Sequence, residues 1–400
     1  MKDNIVQQSD SKLSNFLVLV MAVASGITVA NLYYIQPLLV EIANDFQVTQ
    51  VSVGFVAMLT QIGYALGMLC ILPLADIKEK RSLIVTMLLC SAGSLMFMLF
   101  SFNITVISIA SFAVGFTSVV PQLIIPFAAQ LADPKERGKI IGTVMSGLFI
   151  GILVSRTFSG LVGEYWGWRM VYFIASALMI ILAISLSKLL PLCLPTSSMK
   201  YKELFTSMMS LTKSLPVLRE ASLNGALMFA AFSAFWTSLV FLLEGSPYHM
   251  GADVAGLFGL VGVTGAMAAP IVGRIADKRS PKFTLGIGMI AVIFAYLCFL
   301  AFGFKIWGLI IGVVLLDLGV QSCQISNQAR VHALNDEARN RLNTVYMVSY
   351  FTGGALGSYL GTYSYAHFGW HGVCALGLLT QLIAASVYIN YKTKAYITTM

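Results

Sequence analysis

Two ionisable residues stand inside long apolar runs. Arg156 lies in FIGILVSRTFSG (149–160), within an otherwise apolar stretch from Ile140 to Val162, and Asp317 lies in GVVLLDLGVQ (312–321). A charge at the centre of a membrane helix costs on the order of 2.5–3.5 kcal/mol even on a lenient scale, so such residues mark function or are tightly paired. From Asp317 the chain continues with Gln321, Gln324 and Gln328. The spacing i, i+4, i+7, i+11 puts all four on one stripe of a helix. A stripe of that polarity has to face a wet cavity or another helix bundle, because lipid offers no hydrogen bonds. The chemistry available is proton exchange at a buried carboxylate, charge pairing or anion binding at the guanidinium, and amide hydrogen bonding to a solute. The structural alternatives are interhelical hydrogen bonds made for packing and snorkelling of Arg156 to the outer headgroups.

The elements that carry these residues follow from composition. Of 400 residues, 58% are hydrophobic and only 10% charged, with mean hydropathy +0.83. Soluble domains carry roughly 25% charged residues, so the deficit points to an integral membrane protein. Apolar runs of spanning length, about 20 residues, occur at 14–38, 51–74, 82–101, 104–131, 140–163 and 168–190, then at 220–243, 253–276, 283–303, 307–329, 342–365 and 370–390. They do not alternate as barrel strands would, which predicts an all-α protein of twelve spans. Of 25 Lys and Arg, 22 fall on the side of the termini and two, Arg169 and Lys305, on the other. The positive-inside rule then puts both termini in the cytoplasm, consistent with a bacterial inner membrane. The basic residues are scattered between spans, which argues against a nucleic-acid partner. The six cysteines show no paired spacing and read as reduced packing residues.

The segment 191–219, with three prolines and four basic residues, reads as a cytoplasmic linker with a short surface helix. It divides the chain into bundles at 1–190 and 220–400. The halves resemble each other at an offset of about 202 residues. DPKERGKIIGTVMSGLFIG aligns with NDEARNRLNTVYMVSYFTG, YWGWR with HFGWH, Gly54 with Gly256, and Asp76 with Asp277 after a one-residue slip. Six spans repeated in one orientation imply two bundles related by an axis along the membrane normal, with the substrate site between them.

On these residues the chain resembles the major facilitator superfamily, and more loosely its twelve-span drug:proton antiporter branch. The most specific feature is the loop after the second span, where the family has G-x-L-A-D-x-x-G-[RK]-[RK]. Here Leu74, Ala75, Asp76, Lys80 and Arg81 match, while Leu72 and Glu79 replace the glycines; Gly273 to Asp277 form a second copy. The resemblance implies that Asp76, Lys80, Arg81 and Asp277 form a conformational latch, and that transport runs by alternating access. Ser111 stands where many members have arginine, and Arg156 where the antiporter branch has proline.

The expected function is secondary active transport of a small organic molecule, with proton-coupled efflux ahead of proton-coupled uptake of an anionic metabolite. Arg156 and Asp317 are the proton-coupling candidates. Gln321, Gln324, Gln328, Asn31, Tyr34, Gln61, Tyr64, Gln122, Trp236, Tyr346 and Tyr350 are the candidates for the substrate cavity, with Glu244 as second proton carrier. There is no GxxxxGK[ST] loop and no nucleophile–base pair or metal cluster in the spans, so neither an ATPase nor an enzyme is expected. No cofactor or metal is implied; solute, protons and lipid are the expected partners of a functional monomer.

Overall fold

Inside a bilayer every backbone polar group has to bond within its own segment, and helices do so. The computed structural model describes residues 14–133, 136–193, 201–277, 280–335 and 338–397, with side chains at all of these except 76, 265–277 and 391–397. Every regular element among them is helical. Span 1 is Asn15–Ala30 with Ile35–Phe46, span 2 Gln50–Ile71, span 3 Lys80–Leu99, and span 4 Ile104–Thr117 with Val120–Leu131. Spans 5 and 6 are Arg137–Trp166 and Trp168–Leu189. Pro216–Glu244, Ala252–Asp277, Pro281–Phe302 and Ile306–His332 are spans 7 to 10, and Arg339–Ile397, parted at Gly369, holds spans 11 and 12. The chain is a multi-pass integral membrane protein. Polar N-caps begin several spans: the side chains of Thr49, Asn103 and Ser280 accept from backbone N–H groups at Ser52, Val106 and Phe283.

Three boundaries differ from the sequence reading. Span 1 breaks at 31–34 and continues to Phe46, past the expected end at residue 38. Pro37 explains the break, since its ring clashes with the carbonyl four residues earlier, at Tyr33. Pro121 does the same at Thr117, where span 4 breaks. Span 7 starts at Pro216, inside the stretch read as linker, because proline at the first helical position lacks only a donor that would be unpaired anyway. The linker helix is Tyr201–Ser214, with Leu204 and Met208 buried.

The pairing of spans repeats. Spans 1 and 5, 2 and 4, and 3 and 6 pack together in the first half; spans 7 and 11, 8 and 10, and 9 and 12 pack together in the second. These are two six-helix bundles with one internal arrangement. They meet through span 5 against span 8 and span 2 against span 11. In the first contact Gly160 faces Ala252 and Gly256; in the second Gly54 faces Thr362. These pairs are counterparts at the 202-residue offset. Gly167 and Gly369, also counterparts, both take the positive φ (83° and 60°) that turns span 5 into span 6 and span 11 into span 12.

Candidate functional site

Both bundle contacts lie toward the face away from the basic loops. On that far face Glu164 accepts the Ala252 N–H at 3.1 Å, and Thr157 donates to the Gly256 carbonyl at 2.9 Å, closing span 5 onto span 8. A Cβ at Gly256 would lie 2.6 Å from the Arg156 carbonyl oxygen. Glycine is what allows the backbones this close. Toward the basic face the bundles part. Gly138 and Gly142 of span 5 have no neighbour within 4 Å of a would-be side chain. A cavity of about 260 Å³ runs from there to mid-depth, between His332 and Asn343 at its mouth and Tyr33 and Phe232 at its roof.

Arg156 sits just above this roof and is completely buried. Its Nε donates to Gln36 Oε1 at 2.7 Å, and Nη1 makes a long bond (3.4 Å) to the Ile152 carbonyl one turn back. The guanidinium carbon lies 4.1 Å from the Trp236 ring centre, 4.9 Å from Tyr33 and 5.5 Å from Phe232. Cation–π contacts of this kind strengthen when water is excluded, to about 2 kcal/mol or more. Trp236 and Phe232 belong to span 7, so the arginine of one bundle is held by aromatic rings of the other. Nη2 has no hydrogen-bond partner among the described residues. Snorkelling is not what this side chain does in the structure.

Asp317 is equally buried, and neither carboxylate oxygen has a hydrogen-bond partner among the described residues. Among the described residues, Arg156 is the charged group that acts on it electrostatically. A Cβ at Gly262 would stand 3.1 Å from Asp317 Oδ2, and one at Gly259 would stand 3.1 Å from the Arg156 Cβ. The stem of Arg156 and the Asp317 carboxyl group therefore pack over glycines one turn apart on the same face of span 8. An unpartnered buried carboxylate is expensive while ionised, and taking up a proton relieves the cost.

The rest of the span-10 stripe lines the cavity: Gln321, Gln324 and Gln328 follow Asp317 downward. Tyr350 donates to Gln324 Oε1 at 3.4 Å, while Gln321 Oε1 has no partner among the described residues. Tyr64, Gln122 and Tyr350 also line it. Asn31 does not: its Nδ2 bonds Ser91 and Ser118 at 3.2 Å inside the first bundle, where the two proline breaks meet. Tyr34 turns away too, with its ring 5.7 Å from Phe158; its neighbour Tyr33 faces the cavity. Gln61 spans the bundle interface, donating to Ser358 at 2.8 Å and Ser233 at 3.4 Å. Trp236 belongs to the arginine's enclosure, and Tyr346 packs over Gly225 behind the cavity wall. Glu244 is exposed at the far face.

In the loop after span 2, Glu79 caps span 3 by accepting from Arg81 N at 2.9 Å and Ser82 N at 2.6 Å. Lys80 bonds Gln130, and Arg81 donates to the Leu190 carbonyl at 3.1 Å, both within the first bundle. The side chains of Asp76 and Asp277 lie outside the described residues. The six cysteines are free.

Sequence reasoning missed Glu220 and Arg330, which pair at 2.5 Å across spans 7 and 10 with side chains only 2% and 12% exposed. Both stand at span ends, where a buried charge and a solvated loop charge read alike. The signal was Asn224, four residues after Glu220 and so on the same helix face.

The family model described as Major Facilitator Superfamily matches residues 21–334, with a second match over 223–395. The uncharacterized transporter YgaY of Escherichia coli O157:H7 is 40% identical over 377 residues, covering 94% of this chain and 96% of its own. A chain named as a probable transporter in Streptomyces coelicolor is 33% identical over 361 residues, 89% of this chain and 83% of its own. Among solved structures, a POT family transporter in complex with 5-aminolevulinic acid is similar in fold, with TM-score 0.78 at 10% identity and 94% of each chain covered.

Proposed function

This chain belongs to the major facilitator superfamily, and on that premise we propose that it is a proton-coupled secondary transporter exporting a small organic molecule by alternating access. The observation that carries this is the buried couple at the cavity roof. Asp317 of the second bundle, with both oxygens unpartnered among the described residues, and Arg156 of the first, held by Gln36 and Trp236, both lie buried against span 8 where the bundles touch. In this scheme Asp317 carries the proton. Ionised, it draws Arg156 and so favours bundle closure at the far face; protonated, it releases that pull. A two-state equilibrium moves only by the differential stability of its states, and here the proton supplies the difference. Asp76, Lys80, Arg81 and Asp277 would bias the same equilibrium from the loops.

Export is the direction we favour. The cavity opens to the basic face, which the positive-inside rule assigns to the cytoplasm of an inner membrane, with both termini there. Solute would then load from the cytoplasm at the Gln321, Gln324 and Gln328 wall. Uptake of an anionic metabolite has less support, because Arg156, the only cation at that depth among the described residues, is closed off by three aromatic rings. We take the working unit to be one chain, with bundles at 1–190 and from Pro216 onward.

The test needs no known solute. Trp236 lies against the guanidinium that Asp317 acts on, so proton binding at 317 changes its fluorescence. Titration of the detergent-solubilised protein from about pH 5 to 9 is expected to show a transition that Trp236→Phe and Asp317→Asn each remove. An unchanged transition in Asp317→Asn excludes that carboxylate as the proton carrier.

A further inference from the structure

We propose that the cavity selects an uncharged, amphipathic ring compound that both donates and accepts hydrogen bonds, a single-ring or fused-ring carboxamide being the simplest form. This rests on the reading of the cavity as the transport site and gives that site a substrate class.

The two long walls differ in chemistry. Span 5 contributes Ile141, Met145, Leu148, Phe149 and Ile152, all apolar. Span 10 faces it with the carboxamides of Gln321, Gln324 and Gln328. A solute between them is asked for an apolar face on one side and a hydrogen-bonding edge on the other. Among the described residues no Asp, Glu, Lys or Arg lines the cavity, and the one titratable group besides tyrosine is His332 at the mouth, 3.3 Å from Asn343 Oδ1. An ionised solute would leave water for a site with no counter-charge, which is strongly unfavourable. Carboxamides, which donate and accept, suit a neutral solute.

Among the described residues two cavity-lining atoms have no partner in hydrogen-bond geometry, Gln122 being the polar side chain beside the first, Tyr64 Oη, and they define the cavity's polar contacts. Tyr64 Oη is fully buried, and Gln321, 9% exposed, has an unpartnered Oε1. Buried polar atoms in folded proteins are almost always bonded, so an orphaned hydroxyl and an orphaned carbonyl facing one cavity point to a ligand that fills both. The ligand donates to Gln321 Oε1 and exchanges a hydrogen bond with Tyr64 Oη. Tyr64 belongs to the first bundle and Gln321 to the second, so one neutral molecule bridges both. The ring face is set by Phe229 and Tyr350, stacked at 4.2 Å and 17° and exposed to the same cavity. At about 260 Å³ the cavity is smaller than the 300–1,000 Å³ usual for drug-sized ligands, which limits the solute to one or two rings.

Matched triplets on one scaffold make the test: phenylacetamide, phenylacetate and phenethylamine, then indole-3-acetamide, indole-3-acetate and tryptamine. The readout is the thermal unfolding midpoint of the purified full-length protein in detergent. A carboxamide at about a hundred times its dissociation constant raises the midpoint by several degrees, and its carboxylate and amine counterparts do not. Gln321→Leu and Tyr64→Phe each weaken the carboxamide effect about tenfold in concentration while the ligand-free midpoint stays near that of the native protein. Equal or greater stabilisation by a carboxylate or amine overturns the proposal, as does no stabilisation by any member of either triplet. So does a carboxamide effect untouched by both substitutions. Binding is read without a gradient, so failure of proton coupling with carboxamide binding intact removes the coupling scheme and leaves the substrate class standing.

Discussion

At the scale of single residues, Arg156 shows how a membrane protein keeps a permanent charge at depth. Three rings and one amide replace the water it lacks, and Asp317 nearby is left without a hydrogen-bond partner among the described residues. Lysine cannot reproduce this, since an ammonium has neither the planar face for Trp236 nor the fork that reaches Gln36. Arg156→Lys is expected to slow solute exchange in reconstituted vesicles about tenfold, the equivalent of roughly 1.4 kcal/mol. A rate within twofold of the native protein would remove planarity from the account. The pair Glu220 and Arg330 holds the second bundle together near the basic face. Removing one partner of a buried pair strands the other, at a cost of about 3–5 kcal/mol. Glu220→Ala therefore lowers the unfolding midpoint by clearly more than Asp45→Ala, which breaks a pair with both partners about 40% exposed and one hydrogen bond from Trp168 Nε1. Equal effects from the two would contradict the burial argument. At this scale the sequence was only half legible. Asp317 and its glutamines stood out because three polar residues share a stripe with a charge. Asn31 and Tyr34 did not reveal that they face inward to their own bundle, since a helix apolar on all sides hides which face meets which neighbour.

The elements were far more legible than their side chains. A bilayer demands helices, so continuous apolar runs gave twelve spans with boundaries close to those observed. The kinks were readable in principle from Pro37 and Pro121, whose rings end the preceding helical turns at Tyr33 and Thr117. Spans 5 and 8 carry the account at this scale, because the absence of side chains at Gly259 and Gly262 makes room for Arg156 and Asp317. Gly262→Ala puts a methyl 3.1 Å from Asp317 Oδ2, a distance that moves the carboxyl group by a few tenths of an ångström. It is expected to shift the pH transition read at Trp236 while leaving the unfolding midpoint within a few degrees of native. Gly142→Ala, in open space on span 5, is the control and is expected to change neither. An unshifted transition in Gly262→Ala would mean that span 8 does not position the carboxylate.

For the whole molecule, the repeat explains why the two bundle contacts match. Gly160 with Gly256 and Thr362 with Gly54 are counterparts, so the bundles close symmetrically at the far face and part at the basic face. The linker helix touches both sides of that opening: Tyr201 donates to the Cys70 carbonyl of span 2 at 2.7 Å, and Ser207 receives a bond from Arg341 of span 11. The repeat could be read from aligned glycines and loop charges; the face on which the bundles close could not, because the repeat places equivalent glycines in both halves without saying which meet. Gly256→Leu is incompatible with a far-face contact in which even a Cβ would stand 2.6 Å from a carbonyl oxygen. It is expected to drive the protein to the opposite state, so that Gly142→Cys, reactive toward an impermeant maleimide in the native background, becomes several-fold less reactive. Unchanged reactivity would argue against a rocking equilibrium. The central claim, that Asp317 carries the coupled proton, is tested most directly by proton movement in vesicles. With a solute that binds the native protein, an internal pH dye is predicted to report solute-dependent proton flux in the native protein, while Asp317→Asn exchanges solute with no pH change. Proton flux at the native ratio in Asp317→Asn would contradict the claim.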